Sequence, residues 1–372
     1  MGRALLVVCL ELIAVVFGAE DIVGTICYNF DPDDNFPKFL PRCPTPFRHH
    51  PGLGYDDNYI YLYGGFSRTV EPLYPRNDLW RIPIPKDDSI PQPWESVFPD
   101  WREISETNWE DPAPMLNCPR PSGMLQMASV NGSLILVGGV TQKNSKSPLE
   151  VMEDVWRYSY PGVWAKTEMS FPQLEGCGIA VSSDTVFSFG GYNNTKGMVF
   201  TDKTTIIEID SIDNKTDGTP LPYKAAKLSA NYVKNLSGVV VFGGSDGTHI
   251  HKDLLFYSVP EKNWVPVNVT STYKPCARYG HVTSMCSGNF SMIMAMFGGR
   301  NKNGYMGDLW ILNLTSFPAV QWSFVTNLNV ARGPAITCIE DVVYISSGVE
   351  PNTGKVLNNF ISVNFTRAMA IK

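Results

Sequence analysis

The chain has five histidines, at positions 49, 50, 249, 251 and 281. His249 and His251 are two residues apart, which on a strand puts both rings on one face, where they could hold a metal. The competing reading makes them two exposed loop residues after Gly244, and no metal site is expected. His281 sits in Arg278-Tyr279-Gly280-His281, and its expected role is structural. Neither an H-E-x-x-H helix nor a phosphate-cradling glycine loop followed by lysine occurs, and no nucleophile elbow is expected. Without an organised set of reacting groups, enzymatic activity is the lesser expectation and no cofactor is called for.

Cysteines point to a compartment. The first residues run from a short basic region ending at Arg3, through an apolar stretch from Ala4 to Phe17, to the small residues Gly18 and Ala19. That pattern is a secretory signal peptide over residues 1–18, and it is too short to span a bilayer. Removing Cys9 with it leaves Cys27, Cys43, Cys118, Cys177, Cys276, Cys286 and Cys338, all disulfide candidates, with one left over. Cys27 with Cys43 is the first local pairing to expect. No cysteine spacing suits zinc. Eight N-x-S/T triplets begin at Asn131, Asn193, Asn214, Asn235, Asn268, Asn289, Asn313 and Asn364. Chance would supply about three. The expectation is a secreted glycoprotein, with the lumen of the secretory pathway as its other possible location.

Composition excludes other classes. Lys plus Arg number 30 against 36 Asp plus Glu, a formal charge of −6, so no global basic field attracts nucleic acid. No later segment is long and apolar enough for a transmembrane helix.

The elements that must position any site follow from a repeat. Six apolar runs end in a small pair: at Gly65, Gly139, Gly191, Gly244, Gly299 and Gly348, with Ser347 replacing the first glycine of the last. Their ends are 74, 52, 53, 55 and 49 residues apart. A second strand follows each, often opened by Asp and carrying an aromatic: Asp78-Leu79-Trp80, Asp154-Val155-Trp156, Asp253-Leu254-Leu255-Phe256 and Asp308-Leu309-Trp310. The third and sixth copies are degenerate, at Thr205-Ile206-Ile207 and Asn359-Phe360-Ile361. A further Trp follows in most copies: Trp94 or Trp101, Trp164, Trp264 and Trp322. The spacing is that of a four-stranded propeller blade, with Trp filling the space between sheets.

Over residues 45–365 this pattern resembles the kelch repeat. The resemblance implies an all-β, six-bladed propeller of four-stranded antiparallel blades, here a single domain over residues 19–372. The sixth copy ends before a fourth strand, so residues 24–30 are expected to close the ring beside Asn359 to Asn364. Some kelch-like propellers are carbohydrate oxidases similar to galactose oxidase, with copper, Tyr and His ligands; no Tyr-His pair occurs here to carry that site over.

Aligning the segments that lead into each first strand places Arg48, Arg120, Arg278 and Arg332 together, with Glu175 and Lys224 in the other two copies. Such a ring could receive an anionic group; alternatively these side chains tie the connecting loops to neighbouring carbonyls. The long first interval carries an acidic insert with Trp101 and Trp109, either a contact loop or a solvated decoration. Strand parity sorts the sequons. Asn131, Asn235 and Asn289 fall in first-to-second turns and Asn214, Asn313 and Asn364 near third-to-fourth turns, all at one end, with Asn193 and Asn268 opposite. The opposite face, with the basic residues, His249, His251, Arg300, Tyr305 and Trp101, is the expected docking surface for an extracellular protein or glycan. An extracellular carbohydrate-active enzyme and a matrix component joined through the odd cysteine are the alternatives.

Overall fold

The double-glycine runs are the second strands of six antiparallel sheets. The structure, a computed structural model, describes residues 48–370 apart from 68–72, 74, 86–93, 99–117, 143–146, 160–161, 195–196, 210–214 and 329–331. Blade 1 comprises Gly52–Tyr55, Tyr59–Tyr63, Leu79–Pro83 and Glu95–Phe98. Blade 2 is Gln126–Val130, Ser133–Val137, Asp154–Ser159 and Val163–Ser170. Blade 3 is Gly178–Val181, Thr185–Phe189, Thr204–Glu208 and Lys215–Gly218. Blade 4 is Ser229–Val233, Gly238–Phe242, Leu254–Ser258 and Asn263–Val265. Blade 5 is Val282–Met285, Ile293–Phe297, Asp308–Asn313 and Ala319–Asn327. Blade 6 has three strands among the described residues, Ala335–Ile339, Val342–Val349 and Val356–Asn364, and then the helix Phe365–Ala370.

Each first strand lies against the first strands of the blades on either side, and that of blade 6 returns to that of blade 1, so the ring closes. The expected closing strand at residues 24–30 lies outside the described residues, as do the signal segment, Cys27, Cys43, Trp101 and Asn214.

The core is six separate clusters, one between each pair of blades. The repeat's outer Trp residues reach across those seams. Trp164 packs 5.4 Å from Tyr63, Trp264 5.6 Å from Phe189, Trp322 5.3 Å from Phe242 and Trp94 5.1 Å from Phe360. A large ring on one blade thus covers an aromatic of the blade before it, which buries far more area than a sheet edge could alone.

The glycine pairs have a specific steric cause. A Cβ on Gly190 would sit 2.1 Å from the Ala225 carbonyl oxygen, and one on Gly64 2.5 Å from that of Ser122. Those carbonyls approach because the second glycine's N–H donates to them: Gly65 to Ser122, Gly191 to Ala225 and Gly244 to Arg278. In blade 6, where Ser347 breaks the pair, Gly348 N–H still donates to the Arg48 carbonyl of blade 1. These bonds stitch every participating strand to the leading segment of the next blade.

Two ends of the propeller are distinguishable. One, the turn face, carries the first-to-second and third-to-fourth turns. The other, the loop face, carries the connections between blades and the second-to-third loops. Three of those loops form small hairpins, Val140–Gln142 with Leu149–Val151, Tyr192–Asn193 with Val199–Phe200, and Arg300–Asn301 with Gly304–Tyr305. Asn131, Asn235, Asn289, Asn313 and Asn364 lie at the turn face as expected, and Asn193 on a loop-face hairpin. Asn268 is a correction. The strand Asn268–Val269 pairs in parallel with the start of Ala319–Asn327, and Asn268 N–H donates to the Pro318 carbonyl in a third-to-fourth turn. The connection into blade 5 detours along the outer edge of that blade, which places Asn268 with Asn313 rather than opposite it.

Candidate binding site at the channel mouth

The stitching bonds fix which leading-segment residues are equivalent, and they dissolve the expected basic ring. Arg48, Ser122, Ala225 and Arg278 each accept from a second-glycine N–H and so share one position. Arg120 lies two residues before that position and Lys224 one before it, whereas Arg332 bridges Val349 as Tyr279 bridges Arg300, which places it one after. Only Arg48 and Arg278 occupy the same place.

Those two are unavailable to a ligand. Both side chains are fully buried, and each grips an aspartate with two hydrogen bonds: Arg48 to Asp78 at 2.8 and 2.6 Å, Arg278 to Asp308 at 2.8 and 2.7 Å. Each also donates at 2.9 Å to the first carbonyl of its own double glycine, Gly64 or Gly298. The indoles of Trp80 and Trp310 complete each carboxylate at 2.7 and 2.6 Å. The Asp-Leu-Trp motif is therefore the acceptor half of a buried Arg-Asp-Trp lock, present in blades 1 and 5. Burial alone would raise the Asp78 carboxyl, but the Arg48 guanidinium and its hydrogen bonds outweigh it and hold the pKa below the ordinary value. The expectation of an anion-binding role for Arg48 and Arg278 is overturned: the bidentate partner is already present and desolvated. Arg120 is half-buried, its Nη1 3.9 Å from Glu150 at the base of the blade 2 hairpin, and Lys224 is exposed.

The histidine pair also separates. His249 is exposed in a loop, with its Nδ1 3.1 Å from Asp246. His251 turns away and stacks on Tyr223 at 3.8 Å. Among the described residues, no group of three or more His, Cys, Asp or Glu side chains could hold a metal. Residues 243–247 read Gly-Gly-Ser-Asp-Gly, the spacing of a nucleophile elbow, yet no helix follows. Ser245 Oγ donates to the His249 carbonyl at 2.7 Å rather than to an imidazole, so no activated nucleophile exists there.

What does assemble is a ring one residue beyond the stitching and bridging positions, formed by His50, Met124, Gly176, Lys227, Gly280 and Gly333. All six have left-handed backbones, with φ between 53° and 65°. Backbone bonds run from blade to blade through it: His50 N–H to Gly333, Met124 to His50, Lys227 to Gly176 and Gly280 to Lys227. A non-glycine residue held at such φ costs of order 1–2 kcal/mol, and such strain concentrates where a side chain has work to do. Two of the large side chains use the space a neighbouring glycine leaves. The His50 ring occupies the place where a Gly333 Cβ would stand, 2.3 Å from its Cε1, and Lys227 Cγ lies 3.2 Å from the corresponding point on Gly176. Over Gly280 that point meets no atom within 4 Å. The space over Gly280 is therefore open; its neighbours in the ring are Lys227 and Gly333, and the residues just before Gly280 and Gly333 in the chain are Tyr279, which bridges Arg300, and Arg332.

Lys227, Arg300 and Arg332 are exposed and have no ion pair among the described residues. Burial by the surrounding blades lowers the Lys227 ammonium's pKa, Glu175 opposes this, and the positive charges of Arg332 and Arg300 reinforce it. Glu175 itself accepts the Tyr192 hydroxyl at 2.6 Å. Burial, then His49, Arg332 and Lys227, hold His50 well below the usual imidazole value, so its ring is neutral at pH 7. Arg300 lies over two tyrosines, 4.9 Å from the Tyr305 ring centre and 5.8 Å from that of Tyr279. These contacts hold a cation in place without neutralising it. Met124, 45% exposed, stands on the same ring, and Met198 and Val199 project from the blade 3 hairpin on the same face.

Of the loop-face residues expected from sequence, Arg300, Tyr305 and Arg332 belong to this site, while Arg120, Lys224, His249 and His251 do not. Lys227, His50, Met124 and Gly280 were missed. Their signal was the glycine column Gly176, Gly280 and Gly333, each just before a first strand, which aligns the three non-glycine members.

A closed ring of six such blades defines a propeller whose loop face presents side chains around a central mouth. A family profile described as the KLHDC2/KLHL20/DRC7 Kelch-repeats domain matches residues 176–369, and the chain belongs to the kelch-repeat family. No curated protein matches it.

Proposed function

We propose that the protein is a secreted, N-glycosylated binding module that docks another protein on its loop face, seating an anionic group of that partner over Gly280. The observation that carries this reading is the open space over Gly280 on a face with three exposed cations from blades 4, 5 and 6, none with an ion pair among the described residues. Three positive charges there suit a carboxylate of the partner, and Met124, Met198 and Val199 add exposed apolar area on the same face. Secretion is supported by the leader pattern and by the cross-blade pair Cys286–Cys338, whose sulfurs are 2.08 Å apart. Glycosylation fits the sorting of sequons: of the seven that fall on described residues, only Asn193 lies at the loop face, so glycans would leave it open.

The test is capture of a partner from the native extracellular medium by wild-type protein and by variants with unchanged melting temperatures. Arg300→Glu with Arg332→Glu should abolish capture, and Asn131→Gln with Asn289→Gln should leave it intact. The opposite pattern would overturn the assignment of the face.

A further inference from the structure

Asparagine is followed by glycine twice in the chain, at Asn131-Gly132 and at Asn303-Gly304, and the two turns are built differently. The pair is chemically distinctive because a glycine has no Cβ to keep its amide nitrogen away from the preceding side chain. Asn131 and Gly132 both have left-handed backbones, φ 48° and 74°, which match the twist of the strands they join. They close a ladder of five residue pairs between Gln126–Val130 and Ser133–Val137. Asn303 stands at the tip of the loop-face hairpin of blade 5, which has two pairs, Arg300 with Tyr305 and Asn301 with Gly304. Neither Lys302 nor Asn303 has a positive φ, so this turn lacks the backbone that suits strand twist. Asn303 is exposed, and its backbone N–H donates to Asn301 Oδ1 at 2.8 Å. Its carboxamide has no partner among the described residues, and a Cβ on Gly304 would meet no atom within 4 Å.

We propose that Asn303 is a site of spontaneous deamidation, which converts the tip of this hairpin to aspartate and isoaspartate and so alters the mount of Arg300 and Tyr305. The Gly304 amide nitrogen gives its proton to a solvent base and attacks Asn303 Cγ. A C–N bond forms and closes a five-membered imide, the bond from Cγ to the side-chain nitrogen breaks, and that nitrogen takes up a proton and leaves as ammonia. Water then opens the ring: addition at Cγ gives aspartate, and addition at the main-chain carbonyl gives isoaspartate, in which the chain runs through the former side chain. One water is consumed and one ammonia released, and nothing is oxidised or reduced. Either product puts a carboxylate three residues from Arg300, whose guanidinium lies 4.9 Å from the Tyr305 ring centre. Isoaspartate also adds a methylene to the backbone of a two-residue turn, which disturbs the pairing of Asn301 with Gly304. The chemistry stands by itself; its consequence for docking rests on the reading given under the proposed function.

The intact protein is held at neutral and at mildly alkaline pH in heavy-oxygen water, and peptide mass spectrometry follows the label entering positions 303 and 131. A Ser133→Ala background removes the sequon, so that Asn131 carries a free carboxamide. Position 303 should convert at least about tenfold faster than position 131, roughly the worth of one ladder hydrogen bond in how often a turn opens. Conversion should be faster at the higher pH, with isoaspartate the larger product. Asn303→Gln, whose ring would need six members, should stay unconverted. Equal conversion at both turns, or none at 303, overturns the proposal whatever the capture result. In the partner-capture assay, fresh Asn303→Asp should lose less than about fivefold, the worth of one exposed charge pair. Aged wild type should lose more, and aged Asn303→Gln nothing. Full conversion with undiminished capture overturns the effect on the hairpin where fresh protein still responds to Arg300→Glu with Arg332→Glu; where fresh protein does not respond, the docking reading fails instead.

Discussion

Replacing Arg48 with Met removes the donor half of the lock in blade 1 while keeping length and apolar bulk. The Asp78 side chain is 1% exposed, and the substitution withdraws bonds of 2.8 and 2.6 Å from its carboxylate and one of 2.9 Å from the Gly64 carbonyl. Breaking one side of a buried pair costs about 3–5 kcal/mol, because the remaining charge stays desolvated. Arg76, 3.9 Å away, and the Trp80 indole remain, which favours the lower half of that range. Melting should fall by roughly 4–6 °C. The sign with pH is fixed. In the wild type the Asp78 pKa is depressed, so its contribution is fully present above the unfolded value and is lost only as pH falls through the lower folded value. Without Arg48, burial drives that pKa above the unfolded value, so the variant gains relative stability as pH drops from 7 towards about 4. Urea unfolding of both proteins at several pH values measures this. A deficit under about 1 kcal/mol at pH 7, or one that does not shrink with acid, would refute the lock. Arg120→Met, which touches only a half-exposed Glu150 at 3.9 Å, should cost under about 1 kcal/mol in the same assay.

Gly333→Ala and Gly280→Ala impose the same left-handed strain, at φ 63° and 64°, but only the first puts a methyl into the His50 ring. Thermal melts should show Gly280→Ala losing about 1–2 kcal/mol and Gly333→Ala clearly more; equal losses would mean the His50 ring moves freely. Cys286 and Cys338 are 52 residues apart, so Cys286→Ala with Cys338→Ala should cost up to about 4 kcal/mol through the unfolded chain. Non-reducing peptide mapping should recover the pair from native protein, and finding both thiols free would count against the oxidising compartment.

The architecture was legible because its signals are local. Double glycines, the Asp-Leu-Trp strands and the outer Trp residues recur in each copy for steric reasons that neighbouring blades repeat. The site was less legible because the leading segments vary in length. Arg48 precedes its first glycine by 16 residues and Arg278 by 20, so the arginines do not share a register, which is slipped by one residue at Arg332 and two at Arg120. Once slipped, buried lock residues and exposed mouth residues fell into one apparent ring. Lys227 was invisible for a related reason: its significance comes from backbone conformation and from the opening at Gly280, and neither is written in residue type. The detour that carries Asn268 to the outer edge of blade 5 depends on a parallel pairing 51 residues away in sequence, which no local pattern encodes.

The claim that the loop face is the docking surface is tested most directly by site-specific photo-crosslinking in the native medium from two exposed apolar positions of blade 2. Met124 stands at the channel mouth, 45% exposed, and Val163 at the turn face, 62% exposed. The account predicts a discrete adduct from position 124 that disappears in the Arg300→Glu, Arg332→Glu background, and none from position 163. An adduct from position 163 alone, or one from position 124 indifferent to the charge reversal, would contradict it.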